Sequence, residues 1–270
     1  MFADWVRFFV ISLLAGCSVF AAEQPASVVV AGSDYRQPIP QAILKPDGQG
    51  TAVIFVGGFG DEISGIMPQV MDLLPTIDNM RESRAYYHWH AGYPQNVAQG
   101  AKSLAEHIRE YRRKNVVADV VLIGHSMGAS TVLRTAHLLS PSEGLVFLVT
   151  LDPADRSYLP KRPKSATWWG NAFVSHSLSG HDYIAVLGGR WNACQGADVN
   201  LHFDGRLQDE AGFYYIHDNA LSLLASRNHG VHQSLLDSLR QQIINKGEKN
   251  SPASVAPTGK RKQEQANTTR

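Results

Sequence analysis

The sequence predicts one α/β domain built on a mostly parallel central sheet with helices on both faces. Three observations carry that expectation. The chain has 270 residues and 44% hydrophobic content, enough to bury one sizeable core. Short continuous apolar runs, Val120-Val121-Leu122-Ile123 and Val146-Phe147-Leu148-Val149 among them, read as strands buried on both sides. These runs alternate with segments of helical period, the order from which parallel sheets are made.

Met1 to Ala22 reads as a targeting segment. Arg7 supplies a positive charge, offset by Asp4, and Phe8 to Leu14 form an apolar core too short to span a bilayer. Leu14-Ala15-Gly16-Cys17 resembles the lipobox of bacterial lipoproteins. That resemblance implies cleavage before Cys17 and lipid attachment to it, with Ser18 compatible with sorting to the outer membrane, facing the periplasm. Ordinary secretion with cleavage near Ala21 or Ala22 is the alternative; either way the domain works outside the cytoplasm, in the cell envelope. With Cys17 in this segment, the other cysteine, Cys194, has no disulfide partner in the mature domain and reads as a packing residue. A formal net charge of +1 gives no argument for nucleic acid. The expected partners are therefore a membrane, through the lipid anchor, and a small-molecule or lipid substrate, met by a monomer.

Ser27 to Ala31 is a short β-branched run that Gly32 and Ser33 end. Gln37-Pro38-Ile39-Pro40 and Lys45-Pro46-Asp47-Gly48 are turn chemistry. Thr51 to Val56 is a strong strand that runs into Gly57-Gly58-Phe59-Gly60-Asp61. Glycines at a strand end let backbone approach a ligand, and the absence of a following G-K-[ST] argues against a phosphate loop. Arg84 to Trp89 reads as the next strand. His88 and His90 alternate at its end, where one could ligate a metal but polar edge residues are the favoured reading, and the chain holds no H-E-x-x-H pattern or Cys/His cluster of zinc-ligand spacing; the serine chemistry read below needs neither metal nor organic cofactor, and none is expected. Pro94 opens a helix with Val97, Ala101, Leu104, Ile108 and Tyr111 on one face; Arg109, Arg112, Arg113 and Lys114 suit its C-terminal dipole. A right-handed parallel crossover into Val120 follows.

Gly124-His125-Ser126-Met127-Gly128 fits G-x-S-x-G between a strand and a helix, the context of a nucleophile elbow. Ser126 must sit on a sharp turn that projects its oxygen above the sheet, and the glycines remove Cβ atoms that would collide there. Val146 to Leu151 ends in Asp152-Pro153-Ala154, which puts a carboxylate on the same rim; Asp182, before the strand-like Tyr183 to Leu187, is the rival acid and Asp204 a weaker one. The base must come late, from His232, His229 or His217.

Together these motifs resemble the α/β-hydrolase superfamily, lipase-like branch, over roughly Thr51 to Ile244. Leu151-Asp152-Pro153-Ala154 resembles the acid segment of pancreatic-type lipases, and Gly230 to Leu236 resembles a segment of small bacterial lipases that holds His232. Arg227-Asn228-His229 resembles the pancreatic-type pattern and makes His229 the alternate base. Ile54 to Asp61 resembles the strand-His-Gly stretch of lipases, with Gly57 where those have His, a change expected to loosen the loop. The resemblance implies a Ser126, His232, Asp152 triad, an oxyanion hole from the Phe59 and Met127 N–H groups, and hydrolysis of carboxylic esters, lipid or acyl esters above all. Thioesterases, peptidases and acyltransferases share these motifs, and a non-enzymatic envelope lipoprotein that binds through the same fold is the alternative from another class.

A cap insertion is expected near 155–181, where Trp168, Trp169 and Phe173 line either an apolar groove or the core. From 246 to 270 the chain is poor in large apolar residues, and a disordered tail is expected.

Overall fold

The computed structural model describes residues 51–77, 82–89, 97–114, 119–176, 180–227 and 233–250. The strand expected at Ser27 to Ala31, the lipobox with Cys17, and residues 251–270 lie outside these. In chain order the elements are β1 (Thr51–Phe59), α1 (Asp61–Ser64), α2 (Ile66–Leu73), β2 (Glu82–Trp89), α3 (Val97–Lys114), β3 (Val120–His125), α4 (Met127–Leu138), β4 (Val146–Leu151), β5 (Ala166–Ser175), α5 (Gly180–Gly188), β6 (Val199–Asp204), α6 (Ala220–Ala225) and α7 (Leu235–Asn250).

The strands form one six-stranded sheet in the order β2-β1-β3-β4-β5-β6, and every neighbouring pair is parallel. The period of two along each strand divides the aliphatic runs between two cores. Ala52, Ile54, Val56, Val120, Leu122, Val146 and Leu148 face Leu104, Ile108, Val132 and Leu133 of α3 and α4. Val53, Phe55, Val121, Ile123, Phe147 and Val149 face Met67 and Val70 of α2, Leu223 and Leu224 of α6, and Leu235 and Leu239 of α7. This two-sided burial is why the strands are continuous apolar runs rather than alternating ones.

The order also fixes where a site can be. The chain leaves β1 toward β2, then crosses back over β1 to start β3 and continues the other way. The carboxyl ends of β1 and β3 therefore flank a topological switch point, where open α/β sheets keep their ligands. Gly57-Gly58-Phe59 and His125-Ser126 are the residues there.

Three expectations change. The stretch expected as a cap is, from Ala166 to Ser175, the fifth strand of the sheet. Trp168 and Trp169 are core, on opposite faces because they are consecutive in a strand, and the Trp169 indole N–H donates to Thr150 Oγ1 at 3.0 Å. Tyr183 to Leu187 belongs to helix α5 rather than to a strand: Asp182 and Ala185, three apart, are buried while Tyr183, Val186 and Leu187 are exposed. The last helix passes Asn245 and runs to Asn250, with Lys246 Nζ 3.2 Å from Thr167 Oγ1, so the expected tail is ordered in its first residues.

Candidate active site

Ser126 stands between β3 and α4 with φ 54 and ψ −124, a conformation that non-glycine residues avoid. Its backbone is pinned from three directions: its N–H donates to Leu151 O at 3.0 Å, while its own carbonyl accepts from Ala129 N–H at 3.1 Å and Ala154 N–H at 3.2 Å. The flanking glycines are required by distance. A Cβ on Gly128 would lie 2.3 Å from Val56 O, and one on Gly124 would lie 2.5 Å from Gly128 O. The end of β1 closes on the same serine, since a Cβ on Gly58 would be 2.7 Å from Ser126 Cβ. Met127 is the first residue of α4, whose opening N–H groups have no partner within the helix. Phe59 is the last residue of β1.

Gly57 is not the looser point expected of it. The carboxylate of Asp61 fills the space, with Oδ2 2.1 Å from where a Gly57 Cβ would be. That carboxylate accepts from Ile66 N–H at 2.9 Å, Met67 N–H at 3.2 Å and the Tyr86 hydroxyl at 2.7 Å, tying α2 and β2 to the loop. Burial outweighs these donors and pushes its pKa from 3.8 up to about 6.

Asp152 follows β4, fully buried, with φ 38. Its Oδ1 accepts from Val174 N–H at 3.0 Å. Its Oδ2 accepts from His217 Nδ1–H at 2.6 Å and forms an ion pair with Arg190 Nη2 at 2.9 Å. Asp182, the rival acid, pairs with Arg190 instead, and Asp204 binds Arg206 at the surface. Two of the three candidate carboxylates thus meet in one network.

His217 lies between β6 and α6, is 6% exposed, and is the described histidine that reaches Asp152. His125, next to Ser126, packs its ring 4.6 Å from the His217 ring and donates from Nε2 to His217 O at 2.7 Å. Burial, then the neighbouring His217, lowers the His125 pKa to about 4, so His125 stays neutral near pH 7. His232 and His229 lie outside the described residues. The sequence signal for His217 was its place after the last strand and just before Asn219, whose side chain caps α6 by accepting from Ser222 N–H at 3.3 Å. Ile216 and Asp218, on either side of His217, border a cleft of about 1000 Å³ between α2 and the 209–214 loop; Ser126 is not part of its wall.

A strand-order switch flanked by a strained serine, with an aspartate after the next strand and a histidine after the last, defines an α/β-hydrolase fold. No protein-family model matches the chain, and no curated sequence matches it. Among solved structures it is similar to the Tle1 effector bound to the VgrG spike of a type 6 secretion system, at 12% identity and TM-score 0.35, covering 60% of this chain and 51% of that one. It is similar to a cutinase-like protein from Cryptococcus sp., at 14% identity and TM-score 0.36, covering 74% of this chain and 95% of that one. A lipase-esterase related protein from Clostridium acetobutylicum ATCC 824 gives 12% identity and TM-score 0.37, over 74% of this chain and 96% of that one. The chain spans about half the length of the first of these. Scores of this size carry no functional argument, and function rests on the site geometry.

Proposed function

We propose that the protein is a serine hydrolase cleaving carboxylic esters, with Ser126 as nucleophile, His217 as base and Asp152 as acid. The observation that carries the reading is the 2.6 Å bond from His217 Nδ1 to fully buried Asp152. It leaves Nε2 to take a proton and fixes the tautomer. The His217 ring packs against the residue preceding the strained Ser126.

In this reading Ser126 Oγ gives its proton to His217 Nε2 as it attacks the ester carbonyl, a contact made in the substrate complex. The Phe59 and Met127 N–H groups hold the oxyanion; losing one such donor costs about 2.7–4 kcal/mol of transition-state stabilisation. His217 returns the proton to the departing alcohol, and water, deprotonated by the same imidazole, releases the acid. The lipobox-like Leu14-Ala15-Gly16-Cys17 supports a lipid-anchored enzyme of the cell envelope, and hence lipid or acyl esters as substrates.

The test is turnover of p-nitrophenyl esters of increasing chain length by the full chain, beside Ser126→Ala, His217→Ala and His232→Ala. Ser126→Ala and His217→Ala should each lower kcat by about 10⁴-fold or more, and His232→Ala by far less. The reverse order of the histidines would move the base to His232. No turnover, with no fluorophosphonate labelling of Ser126, would end the catalytic reading.

A further inference from the structure

Asp152 Oδ2 has two partners, and the second is not part of a Ser-His-Asp triad. Arg190 is 10% exposed, forms an ion pair through Nη2 with Asp152, and donates from the same nitrogen to Asp182, which is itself 3% exposed in the first turn of α5. Its Nε has no hydrogen-bond partner among the described residues. The backbone holds it there. Trp191 N–H donates to Pro153 O at 2.7 Å and Asp155 N–H to Gly189 O at 3.1 Å. Ala154 and Arg190 form an antiparallel bridge. Gly189 has φ 84, and a Cβ there would lie 2.9 Å from Arg156 N, so this turn needs glycine. The segment carrying Arg190 is thus fastened to the residues that follow Asp152.

We propose that Arg190 and Asp182 are positioning residues for the acid of the site, forming a buried chain Asp182–Arg190–Asp152–His217 that orients the Asp152 carboxylate and sets the charge felt by His217. This rests on the Ser126-His217-Asp152 reading. With all groups ionised, Asp182, Arg190 and Asp152 sum to one negative charge, the same as a lone triad aspartate. An imidazolium formed during catalysis is therefore balanced, while the guanidinium holds Oδ2 of the carboxylate and Val174 N–H holds Oδ1. The groups facing His217 among the described residues are Asp152 and Arg190 from the loops after β4 and α5, His125 from the end of β3, and Asp218 on its own segment. His125 stays neutral above about pH 5, and Asp218 is common to every variant below, so the chain of three sets the differences.

The charge sum makes the two members act in opposite directions. Arg190→Met leaves two negative charges beside His217 and should move the acid limb of kcat/KM to higher pH. Asp182→Asn leaves none and should move it to lower pH. Both shifts should be about one to two pH units at an effective dielectric near 20, larger for Arg190, with one group between it and His217, than for Asp182, with two. The double variant restores one negative charge and should bring the limb most of the way back from its position in Arg190→Met, since the nearer charge acts more strongly, with kcat still reduced because the carboxylate is less firmly held. Arg190→Lys keeps the charge and should leave the limb in place, which also covers the case in which Arg190→Met does not fold.

The experiment is the pH profile of kcat/KM for the full chain and these variants on a p-nitrophenyl ester, beside the ¹⁵N titration of the His217 imidazole, which needs no turnover. Opposite shifts that largely offset one another in the double variant support the proposal. Lower kcat with unmoved limbs, or shifts in the same direction, overturn it and reduce Arg190 to a packing role. If the wild type neither turns over nor labels with fluorophosphonate, the triad reading fails. The imidazole titration then still decides whether the charged chain acts on His217.

Discussion

Replacing Asp61 by Asn should make the protein more stable at alkaline pH than at acid pH, relative to the wild type. Asp61 is 2% exposed and sits over the backbone of Gly57, with donors from Ile66, Met67 and Tyr86. Burial raises its pKa from 3.8 to about 6 in spite of those donors. A carboxyl whose pKa is higher in the fold than in the unfolded chain binds its proton more tightly when folded. Its contribution to stability is fully present below about pH 3.8 and is lost as pH rises through about 6. About two units of difference correspond to about 3 kcal/mol between those limits. Asn cannot ionise, keeps an acceptor for the Ile66 and Met67 N–H groups, and can donate to the Tyr86 oxygen. Urea denaturation of both proteins, followed by circular dichroism from pH 4 to pH 8, isolates the effect because the other titrating groups cancel in the difference. The stability of D61N minus wild type should climb by about 3 kcal/mol over that interval. A flat or falling difference would refute the reasoning, since it would mean that the donors around Asp61 hold the anion more strongly than burial opposes it.

Gly58→Ala would place a Cβ 2.7 Å from Ser126 Cβ and 3.1 Å from His125 O, so it should displace the serine and lower kcat/KM by about 100-fold with the fold kept; a near-native rate would show that the loop end yields freely. Trp169→Ala removes a side chain with no exposed surface and a hydrogen bond to Thr150, and should cost about 3–5 kcal/mol in urea denaturation. A loss below 1 kcal/mol would contradict its place in the core. Cys17→Ser should shift the protein from the membrane fraction to the soluble one; unchanged fractionation would argue for ordinary secretion.

The cap was misread because the residues around Trp168 and Trp169 carry no local mark of a sheet interior. A paired tryptophan beside lysines and arginines suits a lipid-facing groove as well as a core. What decides is that β4 lies on one side and β6 on the other, which buries consecutive residues on opposite faces. Tyr183 to Leu187 was ambiguous for a related reason. Five apolar residues have too little length to separate a period of two from one of 3.6, and only the helix packing against the loop after β4 fixes it.

The turn at Ser126 and the strand that ends at Asp152 were legible because each is local: both residues follow apolar runs that read as buried strands, and their glycines and proline break those runs. The sequence by itself determined these positions, the doubly covered parallel sheet, and the glycines that let β1 and α4 close on the serine. The contact of His217 with Asp152, the tie from the Tyr86 hydroxyl to Asp61 and the Arg190 bridge were decided by tertiary structure. Each joins residues far apart in the chain, 65 positions for His217 and Asp152 and 25 for Tyr86 and Asp61. A histidine, an aspartate or an arginine read alone carries no sign of which distant side chain will share its burial. That partner is fixed by strand order, which returns the loops after β3, β4 and β6 to one rim of the sheet.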